Sequence, residues 1–138
     1  MELKIKNGEI MEKRILNRSR IRTVHDSFAF IPHRFLTDCF MKRLGPGELL
    51  LYLFLVLVSD AYGLSYYGDS SISRLLKMGV SDLKSLRQVL MDEDLIVYEA
   101  PLYQVLELPL KPLPGEIHID GLPCSATSFS QLIRRLED

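Results

Sequence analysis

No part of the sequence gathers the reactive groups that an enzyme needs. The histidines, His25, His33 and His118, are scattered, no glycine-rich phosphate loop appears, and Cys39 and Cys124 stand too far apart for metal-ligand spacing. Ser65, Ser70 and Ser71 lie near acidic residues, yet no histidine is close in sequence to act as a base. Neither catalysis nor a cofactor is therefore expected. Long hydrophobic runs are missing too. The longest covers residues 49–58, well short of the roughly 18 residues that suggest a membrane span. With no signal peptide ahead of the two cysteines, the expectation is a cytoplasmic protein, away from membranes, with both thiols reduced. Nor is there an excess of charge. A net charge of −1 and a pI near 6.3 give no overall electrostatic case for nucleic acid, so any basic surface must be local.

What the chain does have is apolar patterning. Its 138 residues suit one domain with short extensions, and 47% hydrophobic content is ample for one core. Residues 69–108 form the clearest unit. Asp69, Ser70 and Ser71 offer oxygens that cap a helix start, and Ile72, Leu75 and Leu76 fall on one helical face. Gly79 is expected to take the positive φ that ends this helix. Ser81 is expected to cap a second helix, whose Leu83, Leu86 and Leu90 recur at helical spacing. Residues 95–98 and 102–106 are rich in strand formers on either side of Glu99-Ala100-Pro101, which predicts a hairpin.

These residues resemble the winged helix-turn-helix modules of bacterial, phage and mobile-element regulators and replication initiators. The likeness rests on Ile72, Leu75 and Leu76, on Gly79-Val80-Ser81, on Leu86, Val89 and Leu90, and on Leu95-Ile96 entering the hairpin, and it covers about residues 46–109. Two positions depart from the family pattern. Lys77-Met78 lengthen the turn between the helices, and Asp94 stands where many members have a glycine. The resemblance implies a mainly α fold with a small antiparallel β wing. It also implies binding of double-stranded DNA in transcription regulation or replication, with the second helix of the motif entering the major groove.

Around this unit the chain divides into a basic N-terminal leader (1–26), the domain (27–109), and a Pro-containing linker with a C-terminal amphipathic helix (110–138). Residues 1–24 carry seven basic residues against three acidic ones, which suits either a solvated leader or an arm that grips phosphate. Phe28-Ala29-Phe30-Ile31 is expected to be an extended piece packed on a helix. Leu36, Phe40 and Leu44, four apart, predict one amphipathic helix over residues 33–44. Pro46 and Glu48 then favour a new helix start, and residues 48–61 are apolar on nearly every side, which predicts either a central core helix covered all round or one with a face given to an oligomer contact. The resemblance implies a short strand at residues 64–67 that pairs with the hairpin, with Tyr66 and Tyr67 as packing aromatics or, alternatively, as side chains that stack on a nucleic-acid base. Ser128 and Gln131 have capping-box spacing, and Phe129, Leu132, Ile133 and Leu136 mark one helical face. A short helix of this kind needs a surface to dock on: its own domain, a second copy in a homodimer, or another protein.

If Leu83, Leu86 and Leu90 face the core, then Lys84, Ser85, Arg87 and Gln88 are expected on the solvent side. Lys84 and Arg87 suit guanine acceptors or phosphates, Gln88 suits adenine, and Ser85 serves either. Arg74 and Lys77 are expected at the DNA backbone, with Arg14, Arg18, Arg20 and Arg22 of the leader adding grip. Charge argues against strong binding by the unit alone, because residues 69–109 hold four basic and seven acidic side chains and the hairpin has no Lys or Arg. The alternative is a winged-helix adaptor that binds protein without reading DNA.

Overall fold

A computed structural model describes residues 2–6, 9–110, 118–119 and 122–123. Strands β1 (Glu2–Lys6) and β2 (Glu9–Lys13) pair antiparallel, Glu2 opposite Lys13 and Ile5 opposite Ile10. The start of the leader is thus a backbone hairpin rather than an unstructured arm. A 3-10 turn at Arg18–Arg20 follows, capped by the Asn17 side chain, which accepts from the Ser19 amide. Residues 13–33 are exposed throughout. Phe28 and Phe30, expected to pack on a helix, are 64% and 73% exposed.

The helix expected over 33–44 is broken in two, α1 (Arg34–Thr37) and α2 (Phe40–Arg43), because Cys39 takes a left-handed conformation (φ 66°) between them. Both pieces still deliver Phe35, Phe40 and Leu44 to the core. Cys39 is fully buried and disulfide-bonded, which corrects the expectation of a reduced thiol; Cys124 lies outside the described residues.

Helix α3 (Pro46–Val58) begins with Pro46 in its first turn and Glu48 near its positive end, as the sequence predicts. Leu51, Tyr52, Phe54, Leu55 and Val56 are buried, Tyr52 stacking on Phe35 with ring centroids 4.9 Å apart. Coverage is not complete. Leu50, Leu53 and Leu57 stand 42%, 44% and 63% exposed, and their i, i+3, i+7 spacing puts them on one stripe. At the other end of the core, Leu86, from a later helix, lies over Gly47, where an added Cβ would come within 2.9 Å of it.

Asp60 then shapes a turn, its Oδ1 accepting from the amides of Tyr62 and Leu64. Gly63 follows at φ +82°, with a Cβ position only 2.4 Å from the Val105 carbonyl oxygen, so glycine is required on both counts. Strand β3 (Leu64–Tyr66) leads into α4 (Asp69–Leu76), α5 (Val80–Asp92), β4 (Ile96–Glu99) and β5 (Leu102–Val105). The sheet order is β3-β5-β4, antiparallel throughout, with Ser65 opposite Tyr103 and Tyr103 opposite Tyr98. The fold is therefore helix-rich with a small three-stranded antiparallel sheet. Short strands β6 (His118–Ile119) and β7 (Leu122–Pro123) also pair. The expected helix over 128–137 lies outside the described residues. No described helix is long and apolar enough to cross a membrane.

Several details of the α4–α5 connection differ from expectation. The N-cap of α4 is Gly68, without a side-chain cap, and Asp69 is turned to another use. The positive φ that ends α4 falls on Lys77 (φ 57°), whereas Gly79 is extended (φ −70°) and serves as the N-cap of α5 in place of Ser81. Ser73 Oγ donates to the Met78 carbonyl and closes the turn. Leu75, expected on the buried face with Ile72, is 61% exposed.

Candidate nucleic-acid interface

Helix α5 has two faces of different character. Leu83 and Leu90 are fully buried, Leu86 and Val89 are partly buried, and Ser81, Asp82, Lys84, Ser85 and Gln88 are exposed. The helical period produces this division. Arg87 falls on the inner side, four residues after Leu83 and three before Leu90, and is only 8% exposed. Its expected place among the solvent-facing residues is thus corrected.

The inward turn of Arg87 is fully accounted for by its partners. Nη1 donates to Asp69 Oδ1 at 2.7 Å and to the Tyr103 hydroxyl at 2.8 Å, and the guanidinium lies 4.0 Å from the centroid of the Tyr98 ring. Burial alone would lower its pKa, but the hydrogen bonds to Asp69 and Tyr103 outweigh that and raise it, so the group stays charged. One side chain therefore ties the start of α4, the middle of α5 and both strands of the β4–β5 hairpin together. Sequence reasoning missed the whole cluster. The spacing of Arg87 from Leu83 and Leu90 was the signal that placed it inward.

The outer face is modest in size and plain in chemistry. Lys84, Arg74 and Lys77 are exposed and make no ion pair among the described residues. Gln88 is held in place, its Nε2 donating to Asp92 Oδ1 at 2.9 Å, and Ser85 Oγ donates back to the Ser81 carbonyl at 3.2 Å. The hairpin adds Glu99 at its tip and no cation. Tyr66 on β3 is 70% exposed, whereas Tyr67 meets the Phe54 ring edge-on at 5.1 Å.

A second basic surface lies on the leader. Arg14, Arg18, Arg20 and Arg22 are all exposed, and residues 13–25 contain no acidic side chain. No hydrogen bond or ion pair joins these arginines to α5 among the described residues. Where the leader joins the domain, Asp26, Ser27, Phe28, Ala29, Phe30 and Pro32 line a cleft of about 670 Å³ with Tyr52, Val56, Ser59 and residues 105–108. No group of His, Cys, Asp and Glu suited to hold a metal ion occurs among the described residues.

No protein family, curated protein or solved structure matches the chain.

Proposed function

We propose that this chain is a winged helix-turn-helix protein that binds double-stranded DNA in transcription regulation or replication initiation, in the cytoplasm and without catalytic activity. The observation that carries the reading is the order helix, strand, helix, helix, hairpin over residues 46–105, with sheet order β3-β5-β4. That arrangement leaves one side of α5 free to enter a major groove. Lys84, Ser85 and Gln88 supply contacts to base edges, with Arg74 and Lys77 at the backbone. Arg87 is withdrawn from this set and serves as the strut behind it. The leader arginines supply sequence-independent grip on phosphate.

Fluorescence anisotropy against a pool of duplexes, at low and moderate salt, tests the reading. Binding is expected at low salt and falls as salt rises. Replacing Lys84 and Gln88 together with Ala weakens the preferred duplex by about tenfold or more. Replacing Arg18 and Arg20 with Ala weakens all duplexes alike and flattens the salt dependence. Absence of binding at low salt, or binding indifferent to both pairs of changes, would overturn it.

A protein-binding adaptor is the second reading, favoured by one observation. With Arg87 occupied, the exposed cations of residues 69–109 number three, Arg74, Lys77 and Lys84. The acidic residues of that stretch outnumber them.

A further inference from the structure

The proposed DNA contact makes no use of the cleft where the leader joins the domain, and the walls of that cleft are of one chemical kind. Phe28 and Phe30 follow the leader, Tyr62 lies in the turn after α3, and Tyr52 comes from α3 itself. Phe28, Phe30 and Tyr62 are 64%, 73% and 79% exposed, so three aromatic rings stand open round one concavity. Folded domains seldom leave apolar surface gathered in this way unless something binds there. At about 670 Å³ the cleft falls within the size range of small-molecule sites.

Charge narrows the class of ligand. Asp26, Asp60 and Glu107 line the cleft and, among the described residues, no Lys, Arg or His does. None of these three carboxylates forms an ion pair among the described residues. Asp60 uses Oδ1 to shape its turn and has Oδ2 left over. Arg34, whose guanidinium reaches the Pro109 carbonyl, is already paired with Asp38 at 2.9 Å. Three carboxylates without a counter-charge repel phosphate, which sets a nucleotide or a DNA strand aside. Tyr52 points to a ligand independently. It is 3% exposed, yet its hydroxyl makes no hydrogen bond among the described residues and keeps a contact with solvent, and the cleft is the space that it lines. A buried phenol in that condition is uncommon.

We propose that this cleft binds a small organic cation, an amine with an aromatic or alicyclic body. The body lies against Phe28, Phe30 and Tyr62, the negative faces of the rings and the carboxylates of Asp26, Asp60 and Glu107 attract the charge, and the Tyr52 hydroxyl accepts an N–H from the ammonium group. The site is independent of DNA binding.

The test uses three probes that share an indole ring and differ in charge: tryptamine as its cation, neutral tryptophol and the anion indolepropionate. The chain contains no tryptophan, so the fluorescence anisotropy of the indole reports binding directly as the full chain is titrated in. Tryptamine is expected to bind about tenfold or more tighter than indolepropionate, with tryptophol between them. Asp26→Asn with Glu107→Gln, at two exposed and unpaired positions, weakens tryptamine about fivefold and leaves tryptophol unchanged. Phe28→Ala with Phe30→Ala weakens tryptamine and tryptophol alike, by about tenfold. Tyr52→Phe weakens tryptamine about threefold or more. Equal affinity for the three probes would mean apolar adsorption without regard to charge and would overturn the proposal. So would a flat anisotropy at about 1 mM chain, enough to half-fill a millimolar site, or tryptamine binding indifferent to the carboxylate and phenylalanine substitutions.

Discussion

Arg87 shows how a single residue is misread when its charge is weighed before its position. A cation on a helix proposed to contact DNA invites a role at the surface, yet its spacing from Leu83 and Leu90 gives it the core side, where Asp69, Tyr98 and Tyr103 receive it. The partners come from three other elements, at separations no local pattern reveals. Removing the guanidinium leaves the Asp69 carboxylate and the Tyr103 hydroxyl without their donor. Arg87→Ala is expected to cost on the order of 3 kcal/mol, read as a lower unfolding midpoint in urea. Arg87→Lys recovers only part of this, since an ammonium cannot reproduce the planar fork that stacks on Tyr98. A midpoint unchanged by Arg87→Ala would refute the assigned role. The hydrophobic positions Ile72, Leu83 and Leu90 were legible from periodicity, and all three are fully buried.

At the scale of elements, helix and strand identities were readable and their ends were not. The start of α3 followed from Pro46 and Glu48, and the pairing of residues 64–66 with the hairpin was implied by the resemblance to winged-helix modules. Cys39 and Lys77 adopt left-handed conformations that neither residue type announces, and so does Asp94, which stands where the resembled family has glycine. The break at Cys39 divides one expected helix into two, and the one at Lys77 moves the helix stop away from Gly79. Asp94 (φ 61°) forms the corner between α5 and β4, where the Leu95 amide reaches back to the Leu90 carbonyl at 3.1 Å. Glycine relieves the cost of that geometry. Asp94→Gly is expected to raise the urea midpoint by an amount equivalent to about 1 kcal/mol, and Asp94→Val to lower it. Equal midpoints for the two variants would show that the corner is not strained.

Over the whole molecule, charge and burial are distributed unevenly. Residues 1–25 hold seven basic and three acidic side chains, and residues 26–110 hold seven and eleven. The near-neutral total conceals this contrast, which composition alone does not show and position along the chain does. Burial has its own signature in the tyrosines. Desolvation raises the pKa of Tyr52 and of Tyr103 above the ordinary 10.0, so the folded state favours both neutral phenols. Their contribution to stability is fully present below about pH 10 and is lost as pH rises through the folded values. Denaturant midpoints are expected to fall as pH rises above about 10. Tyr52→Phe makes that fall shallower, since the Tyr52 hydroxyl has no hydrogen-bond partner among the described residues to lose. A decline of the same steepness in the variant would remove Tyr52 from the explanation. The inward placement of Arg87 has a wider consequence. The strut and the exposed face of α5 occupy different sides of one helix, so Ser81, Lys84, Ser85 and Gln88 are free to diversify without disturbing the scaffold, and under the proposed DNA-binding role a new recognition preference can be evolved or engineered there while the architecture is inherited unchanged.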